Sequence, residues 1–425
     1  MKEDFLHYLW KYQKFKSSPL QTTGGELIYV QNIGVHNMHS GPDFFNARVG
    51  ISEQQWAGNV EIHLKSSDWY VHHHETDPAY DNVILHVVWE HDVEVFRKDE
   101  TVIPTLELQK IVDVVLVQKY SGLLTSASQR WINCDTQLAS VPDFLIANWK
   151  ERLYFERLEQ KSEQILRLLE RSSNDWEAVL FQLLAKNFGL AVNGDAFLSL
   201  ATSLEFSVVR KCSNSLEGLE ALFFGQAGLL DAVVEEPYYK KKQSDYDYQK
   251  HKYGLDTSGV LPMQFFRLRP PNFPTIRLSQ LANLYHGNSQ LFSELMGFRT
   301  LDSYYNFFDV TTSVFWETHY TFEKTSSKRK KKLTSSFIDL LLINTIIPLR
   351  FCYAKHMGKE GEELVLEFMQ AIDAEKNGII DKFGSLGLIS DNAMETQAFV
   401  QLKKMYCDAN ACIQCAIGNH VLSQK

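Results

Sequence analysis

The chain has 425 residues, 44% of them hydrophobic and 22% charged, with a formal net charge of −9. This composition excludes a disordered or collagen-like chain, and the length calls for two or three cores rather than one. The acidic balance excludes coating of nucleic acid through bulk charge, while a local basic groove stays compatible with it.

In chain order, Asp4-Phe5-Leu6-His7-Tyr8-Leu9-Trp10 predicts a first helix over residues 4–15, broken by Ser17-Ser18-Pro19. From Glu26 to about Leu108 the texture is that of strands. Short β-branched and aromatic runs at 27–30, 44–51, 59–65, 83–89 and 93–96 are separated by turn residues, with 98–100 as a hairpin tip. Beyond residue 140 the period becomes helical. Leu145, Trp149 and Leu153 step by four, as do Trp176, Leu180, Leu184 and Phe188. Further helices are expected near 195–204, 216–231, 275–285, 335–347, 360–374 and 393–406. The lysine-rich segments Glu235–Lys252 and Thr325–Leu333 read as charged loops. The apolar run 337–351 contains Asp339, Asn344, Pro348 and Arg350, so it reads as a buried helix rather than a membrane span of about 20 residues. The expected fold class is α+β or α/β, with a small mixed-sheet domain over 1–125 and a large, mainly α-helical domain over 126–425. Six cysteines in so long a chain do not make a disulfide framework. The start, Met1-Lys2-Glu3-Asp4, has no signal-peptide core, so a cytoplasmic setting is expected.

Chemistry is densest between residues 41 and 91. Gly41-Pro42-Asp43-Phe44 is followed by Gly58-Asn59-Val60-Glu61-Ile62-His63-Leu64-Lys65, then Ser67-Asp68-Trp69, His72-His73-His74, Asp77-Pro78-Ala79-Tyr80 and a strand containing His86. Alternation along a strand puts Glu61, His63 and Lys65 on one face and Val60, Ile62 and Leu64 on the other. Asp43, at the head of the preceding strand, joins the polar set, and a divalent cation commonly stabilises two converging carboxylates. The same residues also suit the solvated face of a half-buried sheet, with His72–His74 as an exposed loop and His86 as a core histidine. A zinc-dependent hydrolase using His72, His74, Asp77 and His86 is chemically compatible as well.

Asp43 after a proline, with Glu61-Ile62-His63 eighteen residues later, resembles the PD-(D/E)XK nuclease signature, with His63 where lysine usually stands. Over about the first hundred residues the resemblance implies a restriction-endonuclease-like core. It also implies Mg²⁺ or Mn²⁺ held by Asp43 and Glu61, water activated by His63 or Lys65, and nucleic acid as partner. Asp68-Trp69 and the histidines after it are similar to the short-patch mismatch-repair endonucleases. As a whole, the chain resembles a bacterial family of unknown function that carries the Gly-Pro-Asp-Phe, Gly-Asn-Val-Glu-Ile-His, Ser-Asp-Trp and Val-Ile-Leu-His-Val-Val blocks.

Near the C-terminus, Cys407, Cys412 and Cys415 form a C-x4-C-x2-C run, with His420 five residues on. The spacing suits structural Zn²⁺ with His420 as fourth ligand, or an iron–sulfur cluster completed by Cys134; three free thiols are the bland alternative. Some nucleases of the superfamily it resembles staple an N-terminal cysteine to a C-terminal trio in this way. Arg267, Arg269 and Arg277 flank a proline-rich elbow where Thr275 suits a helix cap, and these arginines, like Lys328–Lys332, suit either phosphate contact or ordinary packing. The leading expectation is a divalent-metal-dependent phosphodiesterase of nuclease type, without membrane association. The competing one is a non-catalytic binding or scaffold protein with a structural metal site at the C-terminus.

Overall fold

Alternating apolar residues build a seven-stranded mixed sheet, and the pairing of its strands positions the polar residues between 41 and 91. The computed structural model describes residues 1–16, 19–37, 40–125, 130–288 and 290–424, so Ser17 and Ser18 of the expected helix break lie outside the described residues. The strands are β1 (Leu20–Gln21), β2 (Leu27–Asn32), β3 (Val35–His36), β4 (Phe44–Ile51), β5 (Gln54–Lys65), β6 (Val83–Glu90) and β7 (Thr105–Glu107). Their order is β1-β2-β4-β5-β6-β7, with β3 also paired to β4. The β1–β2, β2–β4, β3–β4 and β4–β5 pairs are antiparallel, whereas β5–β6 and β6–β7 are parallel. An N-terminal mixed sheet followed by a large helical region is the architecture expected from the sequence.

Parallel neighbours cannot be joined by a tight turn and need a crossover of about a dozen residues or more. Residues 66–82 supply it between β5 and β6, and they contain the short helix α2 (Asp68–Val71). Asp92 fastens the start of this crossover by accepting hydrogen bonds from Ser66 Oγ (2.9 Å), Ser67 N–H (2.9 Å) and Ser67 Oγ (2.8 Å). Trp69 pins the middle in a buried cluster with Tyr80, Val83, Val95 and Ile103. Helix α1 (Glu3–Lys11) packs on β5, burying Phe5, Leu6, Leu9 and Trp10, and the Trp10 indole donates to Ile33 O at 3.1 Å.

The chain divides into two compact units, Met1–Trp149 with Leu402–Lys425, and Lys150–Gln401. This division differs from the expected boundary at 125/126. Helix α3 (Val114–Thr125) and the C-terminal tail pack with the sheet unit: Tyr120 stacks on Phe5 at 4.0 Å between ring centres, and Asn133 Nδ2 donates to Asn410 Oδ1 at 3.0 Å. The long helix α4 (Asp143–Arg171) begins in the first unit and ends in the second.

In the second unit, the segment expected as a charged loop is a helix, Pro237–Tyr253. Pro237 takes the first helical position, the Glu236 carboxylate accepts the Tyr238 N–H, and Gly254 closes the helix at φ 62°. Its lysines hid the helical period because one of them, Lys242, points inward. Lys242 is fully buried, 3.4 Å from the Glu220 carboxylate, and donates to Glu217 O at 3.0 Å. Thr275 is not the cap of the next helix: that position falls to Phe273, and the Thr275 hydroxyl donates to Tyr320 O at 2.6 Å. Arg277 lies over the Phe337 ring at 3.7 Å and donates to Gln280 and Asn272 side chains. The lysine run is tied down rather than loose, with Lys331 donating to Trp316 O, Lys332 2.9 Å from Asp309 and Lys328 3.7 Å from Glu317. Residues 93–96 form only an isolated bridge, Phe96 to Val102. Ser335–His356 is long and apolar enough to cross a membrane, and its apolar window is 72% buried.

Gly58 sits where β5 meets the start of β6. A Cβ there would lie 2.4 Å from Ile84 Cγ2 and 2.6 Å from Asn82 O. Gly58→Ala is therefore expected to cost about 1–3 kcal/mol, seen as a lower urea midpoint with an unchanged slope. An unchanged midpoint would show that this strand pair tolerates separation.

Candidate metal centre

The site is assembled on the polar face of β5. Glu61 is the register partner of His86 on β6, so strand alternation puts Glu61, His63 and His86 on one face. All three are buried, with Val60, Ile62 and Val87 filling the opposite face. The crossover then lays His72 and His74 over this group. Nitrogen atoms of His63, His72 and His74 all lie within 4.8 Å of one another.

The distances define a small polar focus. His63 Nε2 is 3.1 Å from His72 Nδ1 and 3.6 Å from Glu61 Oε1, and His74 Nε2 is 3.4 Å from the same oxygen. A tetrahedral ion bound at 2.0–2.1 Å holds neighbouring ligand atoms about 3.3 Å apart, so this donor set fits a single ion. His63 Nδ1 is engaged behind the focus with His86 Nε2 at 2.8 Å, the outer hydrogen bond that fixes the orientation of a ligating imidazole. Tyr80 stacks on His74 at 3.7 Å between ring centres, and Trp69 meets the same ring edge-on.

Asp43 reaches this place through a distortion of β4. Register slips between Phe44 and Ala47, and Asn46 adopts φ 58° with its N–H directed to Asn59 Oδ1 at 3.3 Å; such bulges re-aim neighbouring side chains. Asn37 Nδ2 donates to Pro42 O at 3.1 Å and steadies the loop, in which Gly41 has φ 100°. Asp43 and Glu61 are locked reciprocally. The Asp43 N–H donates to Glu61 Oε2 (3.1 Å), and Asp43 Oδ2 accepts the Ile62 N–H (2.9 Å). The same Asp43 oxygen is 3.2 Å from His7 Nε2, brought by α1.

Burial, reinforced by the Asp43 charge, raises the Glu61 carboxyl to about 9. Burial lowers His63 to about 3, with His74 and His72 adding to the effect, and lowers His86 well below the usual histidine range. His74 is also lowered, mainly by burial. Burial opposes protonation of His7 too, but the hydrogen bond and charge of Asp43 prevail and its value rises. Neutral imidazoles are the form that binds metal.

Of the residues singled out from sequence, Asp43, Glu61 and His63 come together. Lys65 does not join them: it lies at the strand end, half exposed, with Nζ 3.8 Å from Glu90. Asp77 caps a turn by accepting the Ala79 N–H, and His73 is exposed at φ 60°. His420 turns its Nε2 to Ser140 O at 3.3 Å and Gln424 Nε2 at 3.0 Å. The sequence reading grouped His72, His74 and His86 with Asp77 as zinc ligands, separately from Asp43, Glu61 and His63, and passed over His7; in the structure His72 and His74 meet His63, while Asp77 caps a turn. The in-register pair Glu61–His86 and the histidine-bearing crossover were the available signals.

A family model matches residues 3–378, a span that includes every residue of this focus. The chain belongs to the family described as "Protein of unknown function (DUF2851)". No curated protein and no solved structure matches this DUF2851 chain.

The buried carboxyl gives a pH test on metal-free DUF2851 protein. Because folding raises the Glu61 value from 4.5 to about 9, its contribution is full below 4.5 and is lost as pH rises through about 9. Between about pH 5 and pH 9, the thermal midpoint of chelated wild type should fall by roughly 5 °C or more relative to Glu61→Gln. Parallel curves for the two proteins would contradict the burial of a neutral carboxyl.

Proposed function

We propose that this protein is a divalent-metal-dependent hydrolase of phosphodiesters, with nucleic acid as its substrate class. The observation that carries the reading is the convergence of His63, His72 and His74, with Glu61 Oε1 3.4 and 3.6 Å from two of them. A donor set rich in imidazole favours Zn²⁺ or Fe²⁺ over Mg²⁺, with Mn²⁺ binding more weakly than either. The three histidines would hold the ion, and Asp43 would act on Glu61 rather than as a principal ligand. When bound, such an ion supplies Lewis-acid polarisation of a phosphoryl oxygen.

The chain's own groups account for the remaining work. In its ionised form, which a bound cation would favour, Glu61 accepts a proton from the attacking water. Asp43 holds Glu61 in place through the reciprocal backbone bonds. His86 fixes the ring of His63, while Tyr80 and Trp69 wall the His74 side against water. The resemblance of Asp43 and Glu61-Ile62-His63 to the nuclease signature supports a phosphodiester substrate.

The test uses full-length protein loaded with Zn²⁺ or Mn²⁺ and assayed on single- and double-stranded DNA, on RNA and on an activated phosphodiester. Glu61→Gln should retain metal and lose about 10²- to 10⁴-fold in turnover. His72→Ala and His74→Ala should lose the metal itself, whereas Lys65→Ala should change neither. Bound metal with no turnover on any of these substrates would overturn the hydrolase reading.

A further inference from the structure

Cys134 and the trio Cys407, Cys412 and Cys415 are separated by more than half the chain, yet they belong to the same compact unit. The chain leaves this unit after Trp149 and returns at Leu402, so Cys134 precedes the exit and the trio follows the re-entry. Named contacts bring the two segments together. Asn133, adjacent to Cys134, donates through Nδ2 to Asn410 Oδ1 (3.0 Å) and to Cys412 Sγ (3.4 Å). Lys403 Nζ lies over the Trp131 ring at 5.1 Å. Cys415 stands at the N-cap position of the helix Ala416–Ser423.

The trio is shaped by tight backbone. A π-helical turn, Leu402–Cys407, delivers the first thiol. Cys415 N–H bonds to Cys412 O at 3.3 Å, folding the second and third together. Gly418 permits this fold, since a Cβ there would lie 2.0 Å from Cys412 O. Cys415 is buried, and the other three thiols are half-buried.

The spread of the sulfurs separates two chemistries. Zinc at 2.3 Å from four thiolates holds them about 3.8 Å apart. A cubane iron–sulfur cluster places an iron behind each thiolate and holds the four sulfurs about 6 Å apart. Among the described residues, the group whose ligand atoms all lie within 4.8 Å of one another is the histidine set, not these thiols. Among the described residues, no three of these thiols therefore stand as close together as one tetrahedral ion would hold them. His420, occupied with Ser140 and Gln424, is not among them.

We infer that Cys134, Cys407, Cys412 and Cys415 ligate an iron–sulfur cluster that fastens the chain's exit from the first unit to its return. The Asn133 side-chain N–H directed at the Cys412 sulfur is a hydrogen bond of the kind that tunes such clusters. Metal-binding energy then becomes folding energy for the C-terminal segment. This inference is independent of the hydrolase reading, because it involves none of the same residues.

The experiment is elemental, sulfide and spectroscopic analysis of full-length protein purified or reconstituted without oxygen. Iron and labile sulfide in equal numbers, about two or about four of each per chain, are expected, with broad absorption at about 400 nm. Cys134→Ser should lose the absorption and His420→Ala should keep it. Cys352→Ser, at a buried cysteine outside the group, controls for thiol loss and should also keep it. Stoichiometric zinc at the thiols, no cluster in reconstituted wild type, or a cluster that survives in Cys134→Ser while failing in His420→Ala would each overturn the assignment.

Discussion

The parallel pairing of β5 with β6 is the constraint on which the first unit depends. An antiparallel pair would let a two-residue turn return the chain at once. The parallel pair instead forces residues 66–82 to travel back over the sheet, and this return path carries Trp69, His72, His74 and Tyr80. The same pairing sets Glu61 opposite His86 in register. Topology thus gathers residues from two strands and their connection, while α1 and the bulged start of β4 add His7 and Asp43 from the side.

Much of this was legible because strand alternation is a strong rule. The residues on the two faces of β5 were assigned from sequence as the structure has them, and Asp43 lies beside Glu61 as its position at the strand head suggested. Alternation says nothing about how far along a strand a site extends. Lys65 has the right parity, yet it lies at the rim with Glu90, whereas His63 is enclosed. His72 and His74 were not legible as partners of His63 because loop residues have no periodicity. Only the direction of β6 relative to β5 locates them, and direction is a tertiary property.

The helical unit shows the same limit. Pattern reading relies on polar residues facing solvent, and Lys240-Lys241-Lys242 consequently reads as a loop. The helix Pro237–Tyr253 forms because its ends are capped and because Glu220 and the Glu217 carbonyl receive Lys242 inside. Burying such a charge is costly unless it is paired, and its partners come from another helix. Likewise, Cys407, Cys412 and Cys415 announced themselves by spacing, but the contact of Asn133 with Cys412 depends on where the returning chain docks.

The buried contact between His63 and His86 carries a further consequence. His86 Nδ1 finds no hydrogen-bond partner among the described residues, so that nitrogen is better left bare than protonated. His86 then keeps its hydrogen on Nε2 and gives it to His63 Nδ1, which leaves the hydrogen of His63 on Nε2, facing the focus. A ligand nitrogen must instead present its lone pair there. Occupying the focus therefore requires two hydrogens to change places in concert along the imidazole pair, one on each ring. The protein holds the pair in one tautomeric register, and an ion at the focus would require the other, so filling the centre would mean more than adding an ion.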